Sequence, residues 1–378
     1  MTETSDVAVV GGGVVGLATA HALRERGATI TVYERGTCGG SQSGGESRIF
    51  RHLHDDVRLI EFARESRSIY REWEESFGTQ LVVGNGVVWL APDVTEYVGQ
   101  LAATGIGVET LAPADLQERM PLLARYEGPA FLDLDGGAIR AAATIKALSG
   151  HIAGTFVADE VLTMWPTRHG SVEIRTNSGR AEHGSAVVCA GADTARLARG
   201  LGVCIPVQLG IHGRVTFAIK DELPAKAPCI VDVTDYFRPG GSYGTPTPGA
   251  REYSIGVEGN GRIPVREDLS SIEPSRLESV TAGAVDYVKS AFPGLIPTPL
   301  SFRHCWVTWL PWNTDAIGVW EAEQVYFVAG DNMFKHAPAL GRSLASAALD
   351  GVLADDLRAE ARLGEALAFD SAPRPDFG

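Results

Sequence analysis

Three fully apolar runs, far apart in the chain, stop in glycine-containing turns and are followed by helix-like periodicity. The first is "VAVV" at Val7 to Val10, the second lies in "SAVVCAGAD" at Ser185 to Asp193, and the third in "VYFVAGD" at Val325 to Asp331. Unbroken apolar runs of this length read as parallel strands buried on both faces. After the first, Leu17 to Arg26 reads as a helix, Gly27 as its end and "TITVYE" as a second strand. Between these pieces the texture changes. "QLVVGNGVVWLAP", "PVQLGIHGRVTFAI" and "EYSIGVEG" alternate apolar with polar positions, and "RPGGSYGTPTPG" is rich in turn residues, which predicts a mostly antiparallel sheet.

The first turn holds Gly11, Gly13 and Gly16 in G-x-G-x-x-G register. Gly11 permits the tight turn, Gly13 lets backbone approach a pyrophosphate, and Gly16 lets the next helix pack close to the strand. The helix N-terminus around Val14 and Val15 favours phosphate. Glu34, followed by Arg35, ends the second strand where a ribose-binding acid belongs, and an acid there disfavours a 2′-phosphate. The nucleotide is therefore NAD or FAD. The strands leading to Gly191 and to Gly330 spread further contacts over both ends of the chain, which suits extended FAD better than a contiguous NAD domain. Asp331 either binds the ribityl or phosphate part of the cofactor or caps the helix after it.

The expected fold is α/β: a Rossmann-like FAD-binding domain of the glutathione-reductase or hydroxybenzoate-hydroxylase type, with a second, mostly antiparallel-sheet substrate domain inserted in two pieces. The FAD-binding domain is assigned to residues 1–83, 141–208 and 304–378, and the substrate domain to 84–140 and 209–303. The tail after Leu357 reads as helical, then Pro-rich and peripheral.

Length and composition narrow the picture. The chain has 378 residues, 44% of them hydrophobic, and 44 glycines, enough for two domains with packed cores and many tight turns. A formal net charge of -14 argues against nucleic acid or an anionic membrane as partner. No apolar run is long enough to span a membrane, and acidic "MTETSD" precedes the first apolar run, so the expected location is cytoplasmic. Five scattered cysteines carry no disulfide or zinc spacing, so no metal is expected.

"CGGSQSGGESRIFRHLHDD" joins a loop containing Ser43 to Arg48 and Arg51. Three residues apart on a helix, the two guanidiniums would share one face and form a buried anion site. The run of "GGGVVGL", "SGGESRIFRH", "DGGAIR", "VVCAGADT", "HCWVTWLP" and "FKHAPALGR" resembles the subgroup of the D-amino-acid oxidase superfamily that includes monomeric sarcosine oxidase and N-methyltryptophan oxidase. The resemblance covers nearly the whole chain. It implies that Cys305 joins the flavin through sulfur at the 8-methyl carbon and that Arg48 lies over the flavin. It also implies that Arg51 and Lys335 hold the substrate carboxylate, with Phe334 beside the cofactor.

Three departures accompany the resemblance. Ser254, before Gly256, replaces the lysine whose charge activates oxygen in the subgroup. Arg48 or Arg251 could supply that charge instead. Met333 replaces a glycine in a shortened loop, and Val307 replaces an aromatic residue two along the strand from Cys305, which enlarges the pocket. Trp306, Trp309, Trp312, Tyr236, Tyr243 and Tyr253 are candidates for stacking on a bulkier substrate, and His52, His54, His304 and His336 for handling protons.

The expected activity is FAD-dependent oxidation of the C–N bond of an amino acid, a secondary or cyclic amine foremost. Hydride passes to flavin N5, an imine forms, and O2 reoxidises the flavin with release of H2O2. The expected state is a monomer. The rivals are a dehydrogenase using another acceptor, an NAD(P)H-dependent monooxygenase and a non-catalytic flavoprotein scaffold.

Overall fold

The apolar run at the start of the chain is a strand, Ser5–Val10, whose Val7, Ala8 and Val9 have no exposed surface. In the computed structural model, which describes residues 4–224, 227–249, 251–257, 262–264 and 274–365, this strand is central to an eight-stranded sheet. It pairs in parallel with Ile30–Tyr33 on one side and with Arg180–Val188 on the other. Val325–Gly330 adds in parallel to Arg180–Val188, so all three glycine turns leave from the same end of neighbouring strands. Helix Val14–Glu25 crosses this sheet and packs on helix Ala337–Asp350. The approach is so close that a Cβ on Gly341 would stand 2.6 Å from the Ala18 carbonyl carbon.

The alternating segments build a nine-stranded, mostly antiparallel sheet. Its backbone is the long pair Gln208–Ile219 and Leu295–Trp309, which sets Cys305 opposite His212 and Val307 opposite Gly210. Glu252–Val257, Ser242–Pro246, Cys229–Asp232 and Val87–Leu90 continue it outward. One face is apolar, carrying Val215, Phe217, Tyr253 and Ile255 against helix Pro274–Ala291. Because side chains alternate along a strand, Arg214, Thr216 and Ser254 lie on the opposite face.

The sheet architecture matches the α/β expectation, but two local readings change. Arg48 belongs to a strand, Ser47–Phe50, held between Gly137–Arg140 and the Ala141–His151 helix, not to a helix. The helix in this region starts later, at Val57–Phe77, where the Asp56 side chain caps it by accepting from the Arg58 N–H at 2.9 Å. The tail is not peripheral where it is described. Two short 3-10 turns, Asp355–Leu357 and Ala359–Ala361, lead to Leu363, which is buried and whose carbonyl accepts from Trp312 Nε1 at 3.1 Å. The Pro-rich end lies outside the described residues. No helix among the described residues is long and apolar enough to cross a membrane.

Candidate active site

One cavity of about 780 Å³ runs from the first glycine turn to the polar face of the antiparallel sheet. At the first end, Gly11 has φ +108°, and a Cβ there would meet the Cys189 carbonyl oxygen at 2.5 Å, so only glycine fits. A Cβ on Gly16 would lie 2.0 Å from the Gly11 oxygen, which is the close helix–strand approach expected of the third glycine. Gly13 is the N-cap of the helix that follows and has no side chain to cover its first amides, while Ser43 Oγ accepts from Val14 N–H at 2.9 Å. Glu34 accepts from the Gly12 and Gly36 amides, each at 2.7 Å, and Arg35 pairs with Asp193 at 2.6 Å.

Gly11, Gly13, Val14, Val15, Glu34, Arg35, Ser43, Gly191 and Gly330 all line this cavity, so the glycine turns, the open helix start and the Glu34 carboxylate form one continuous wall. Gly16 is absent from the wall and acts through packing. Asp331 also lines the cavity and does not cap the helix that follows, whose N-cap is His336.

Toward the second sheet, the arginines separate. Arg48 donates to the carbonyls of Ser47 at 2.8 Å, Gln42 at 3.0 Å and Gly44, sits 5.9 Å from the Phe334 ring centroid, and points Nη2 at Cys305 Sγ, 3.8 Å away. Burial, with the neighbouring Arg214, brings its pKa down to about 10. Arg51 lies just past the end of the strand and turns the other way. It lies 5.5 Å from the Trp89 ring centroid, and its Nη2 donates to Asp315 Oδ2.

Asp315, unforeseen in the sequence, organises this end. Its Oδ2 also accepts from His54 Nδ1 at 3.1 Å, and its Oδ1 from Asn332 Nδ2. Burial alone would raise its pKa, yet Arg51, Lys335 and His54 hold it well below the usual carboxylate range. Lys335 lies 4% exposed beside the group, brought down to about 7 by burial and by Arg51. His54 falls to about 3 by burial, Arg51 and Lys335, and the buried His336 falls well below the ordinary histidine value.

The remaining candidates divide. Cys305, Trp306, Val307, Tyr243, Met333 and Phe334 line the cavity. Tyr253 and Trp312 are packed in cores, and Tyr236 is 61% exposed. His304 is exposed, and His52 is a buried structural residue on Asp133, 2.9 Å away. Ser254 hydrogen-bonds Thr216 at 2.8 Å and is not part of the cavity wall. Arg251 is turned to the carbonyls of Lys220 at 2.8 Å and Leu223 at 2.7 Å on the exposed surface. The cation that does reach the cavity from this sheet is Arg214, 9% exposed, donating to the Ser47 carbonyl at 3.0 Å. Its neighbour across the ladder is Gly256, two residues after Ser254, so the charge sits one strand over from where the motif places it. Alternation in "GIHGRVTF" was the signal that could have revealed it. Trp89 and Asp315 gave none.

Comparison with known proteins follows the same lines. A family model described as FAD dependent oxidoreductase matches residues 6–347. Monomeric sarcosine oxidase of Streptomyces avermitilis is 27% identical over 224 residues, 55% of this chain and 57% of that protein. Glycine oxidase of Geobacillus kaustophilus is 27% identical over 271 residues, 66% of this chain and 69% of that one. The chain thus spans little more than half the length of that sarcosine oxidase in the alignment. Among solved structures, the open form of NikD, an unusual amino acid oxidase essential for nikkomycin biosynthesis, superposes with a TM-score of 0.82 at 21% identity, covering 98% of this chain and 100% of that one.

Proposed function

The chain belongs to the FAD-dependent oxidoreductase family, and from that premise we propose that it oxidises the C–N bond of a secondary or cyclic amino acid to an imine, with oxygen as final acceptor. The observation that carries this reading is the continuity of one cavity from the dinucleotide cradle at Gly11 and Glu34 to the cation pair Arg51 and Lys335. Cations two elements apart, facing a shared cavity, suit a small carboxylate, for which the guanidinium offers a fork and the ammonium a point charge.

FAD, when bound, supplies the hydride acceptor. This chain's residues do the rest. Arg51 keeps donors beyond those spent on Asp315 and Leu53, and these, with Lys335, orient the carboxylate. Trp89 supports the guanidinium from its ring face. Val307, Trp306, Tyr243 and His212 leave a wall that is part apolar and part aromatic, which accommodates a ring. Arg214 and Arg48 concentrate positive charge on the Ser47 carbonyl and form no ion pair with a carboxylate among the described residues. That unbalanced charge favours an anion, and it supports oxygen as acceptor even though Ser254 replaces the motif's lysine. The serine is also what favours the second reading, a dehydrogenase of the same substrates.

A panel of secondary and cyclic amino acids, scored by anaerobic bleaching of the flavin, tests the proposal. At least one should bleach it, and its decarboxylated analogue should do so far more slowly. Bleaching by NAD(P)H, or by amines and amino acids alike, would overturn it.

Cys305 Sγ lies half-buried in the cavity wall, 3.8 Å from Arg48 Nη2. We expect the flavin to be tethered there, so the yellow colour should stay with acid-precipitated protein. In Cys305→Ser it should pass to the supernatant. Complete release from the wild type would remove the tether and leave the family assignment intact.

A further inference from the structure

Lys335 is a buried and sparsely hydrogen-bonded charge in the cavity. Its Nζ makes one long hydrogen bond, 3.4 Å to the Asn332 carbonyl, and no ion pair within 4.0 Å among the described residues. The carboxylate between the two cations is already engaged: Asp315 receives Arg51 and His54 on one oxygen and Asn332 on the other. A buried ammonium with so little to replace its water is unfavourable, and the amine form is correspondingly favoured.

The groups facing Lys335 come from every element around it. Arg51 and His54 follow strand Ser47–Phe50, Asp315 precedes strand Ile317–Ala322, Asp331 follows strand Val325–Gly330, and His336 adjoins it, its ring stacked 5.6 Å from that of Phe62 in helix Val57–Phe77. Neither histidine is available as a base near neutral pH. His54 is held to about 3 by burial, Arg51 and Lys335, and both ring nitrogens of His336 lack a hydrogen-bond partner among the described residues, in surroundings that disfavour its cation.

We propose that Lys335 meets the arriving amino acid as a neutral amine, takes the proton of its ammonium group, and as the resulting cation holds its carboxylate. This rests on the carboxylate reading of the site given above. An amino acid reaches the enzyme as a zwitterion, but hydride can leave the carbon only when the nitrogen lone pair is free to form the imine. In an α-amino acid the two groups are one carbon apart, so a residue holding the carboxylate is within proton reach of the ammonium, directly or through one water. The step balances: the substrate N–H⁺ bond breaks, a bond from that proton to Lys335 Nζ forms, and no electrons change hands. The substrate carboxylate then supplies the close ion-pair partner that Lys335 lacks among the described residues.

The consequence is a proton count. Cyclopentanecarboxylate, which has the ring and carboxylate of a cyclic amino acid but no amine, must draw its proton from solvent. Calorimetric titration of the flavin-loaded enzyme in phosphate and in Tris, buffers of different ionisation enthalpy, reads that uptake. It should approach one proton per ligand at about pH 8.5 and decline toward none below about pH 6, since Lys335 is then already charged. Lys335→Arg, permanently charged, should bind the ligand with no uptake, and its anaerobic reduction by substrate should recover as pH rises toward the substrate amine's own pKa. Binding without uptake at about pH 8.5 in the wild type overturns the proposal and leaves the carboxylate site standing. Failure of the ligand to bind at any pH overturns both.

Discussion

Arg51→Ala is expected to lower the second-order rate of anaerobic flavin reduction by about two orders of magnitude. The substitution removes a charge-assisted contact to the substrate carboxylate, worth about 1.5–3 kcal/mol, or roughly one to two decades in rate. A second effect adds to it. Asp315 and Arg51 keep only 18% and 17% of their side-chain surface exposed, so deleting the guanidinium leaves a carboxylate short of its main partner. Lys335, the nearest remaining cation, is then drawn toward Asp315 and away from the substrate. Arg51→Lys should recover part of the loss, because a point charge satisfies Asp315 but cannot reproduce the fork. Amines without a carboxylate should be nearly insensitive to either change. Stopped-flow reduction kinetics measure all of these, and wild-type rates in Arg51→Ala would move the carboxylate site elsewhere in the cavity.

Arg214→Ala should slow reoxidation by oxygen about a hundredfold while leaving the reductive half-reaction within a factor of a few. Oxygen becomes an anion on accepting its first electron, and a fixed cation stabilises that anion most where water is excluded. Donors preorganised for a developing anion contribute on the order of 3 kcal/mol each. Arg214 is buried, faces the cavity and is held in place by the Ser47 carbonyl. Ser254 is buried next to it on the same face of the sheet, with its hydroxyl turned to Thr216. Ser254→Lys should therefore add little to the wild type but restore oxygen reactivity to Arg214→Ala. Mixing pre-reduced enzyme with oxygenated buffer reads both. Fast reoxidation in Arg214→Ala would take this role from Arg214, and slow reoxidation already in the wild type would favour the dehydrogenase reading.

What could be read along the chain was local. The strand, turn and helix from Ser5 to Glu25 depend on residues within one another's reach, because the glycine spacing, the apolar run and the acid at Glu34 each answer a nearby backbone requirement. Alternation likewise sorted the antiparallel segments, since a half-buried strand imposes a period of two. Arg48 and Arg51 stand out in the sequence as a pair, but their geometry does not. The spacing alone does not say whether they sit on a helix. Pairing of Ser47–Phe50 with Gly137–Arg140, some ninety residues on, placed Arg48 in a strand that ends before Arg51, and the two guanidiniums part.

The sequence by itself therefore determined the family and the fold class, and it named the residues proposed for the cofactor and the substrate. Only the tertiary structure decided the charge balance within it. Asp315 joined Arg51 across 264 positions, Arg214 took up the face left without the motif's lysine, and Lys335 was left buried without an ion pair among the described residues. Propensity and periodicity act over a few residues, whereas the strength of a charge depends on what is packed around it and on how far water is excluded, and both are set by the meeting of distant segments.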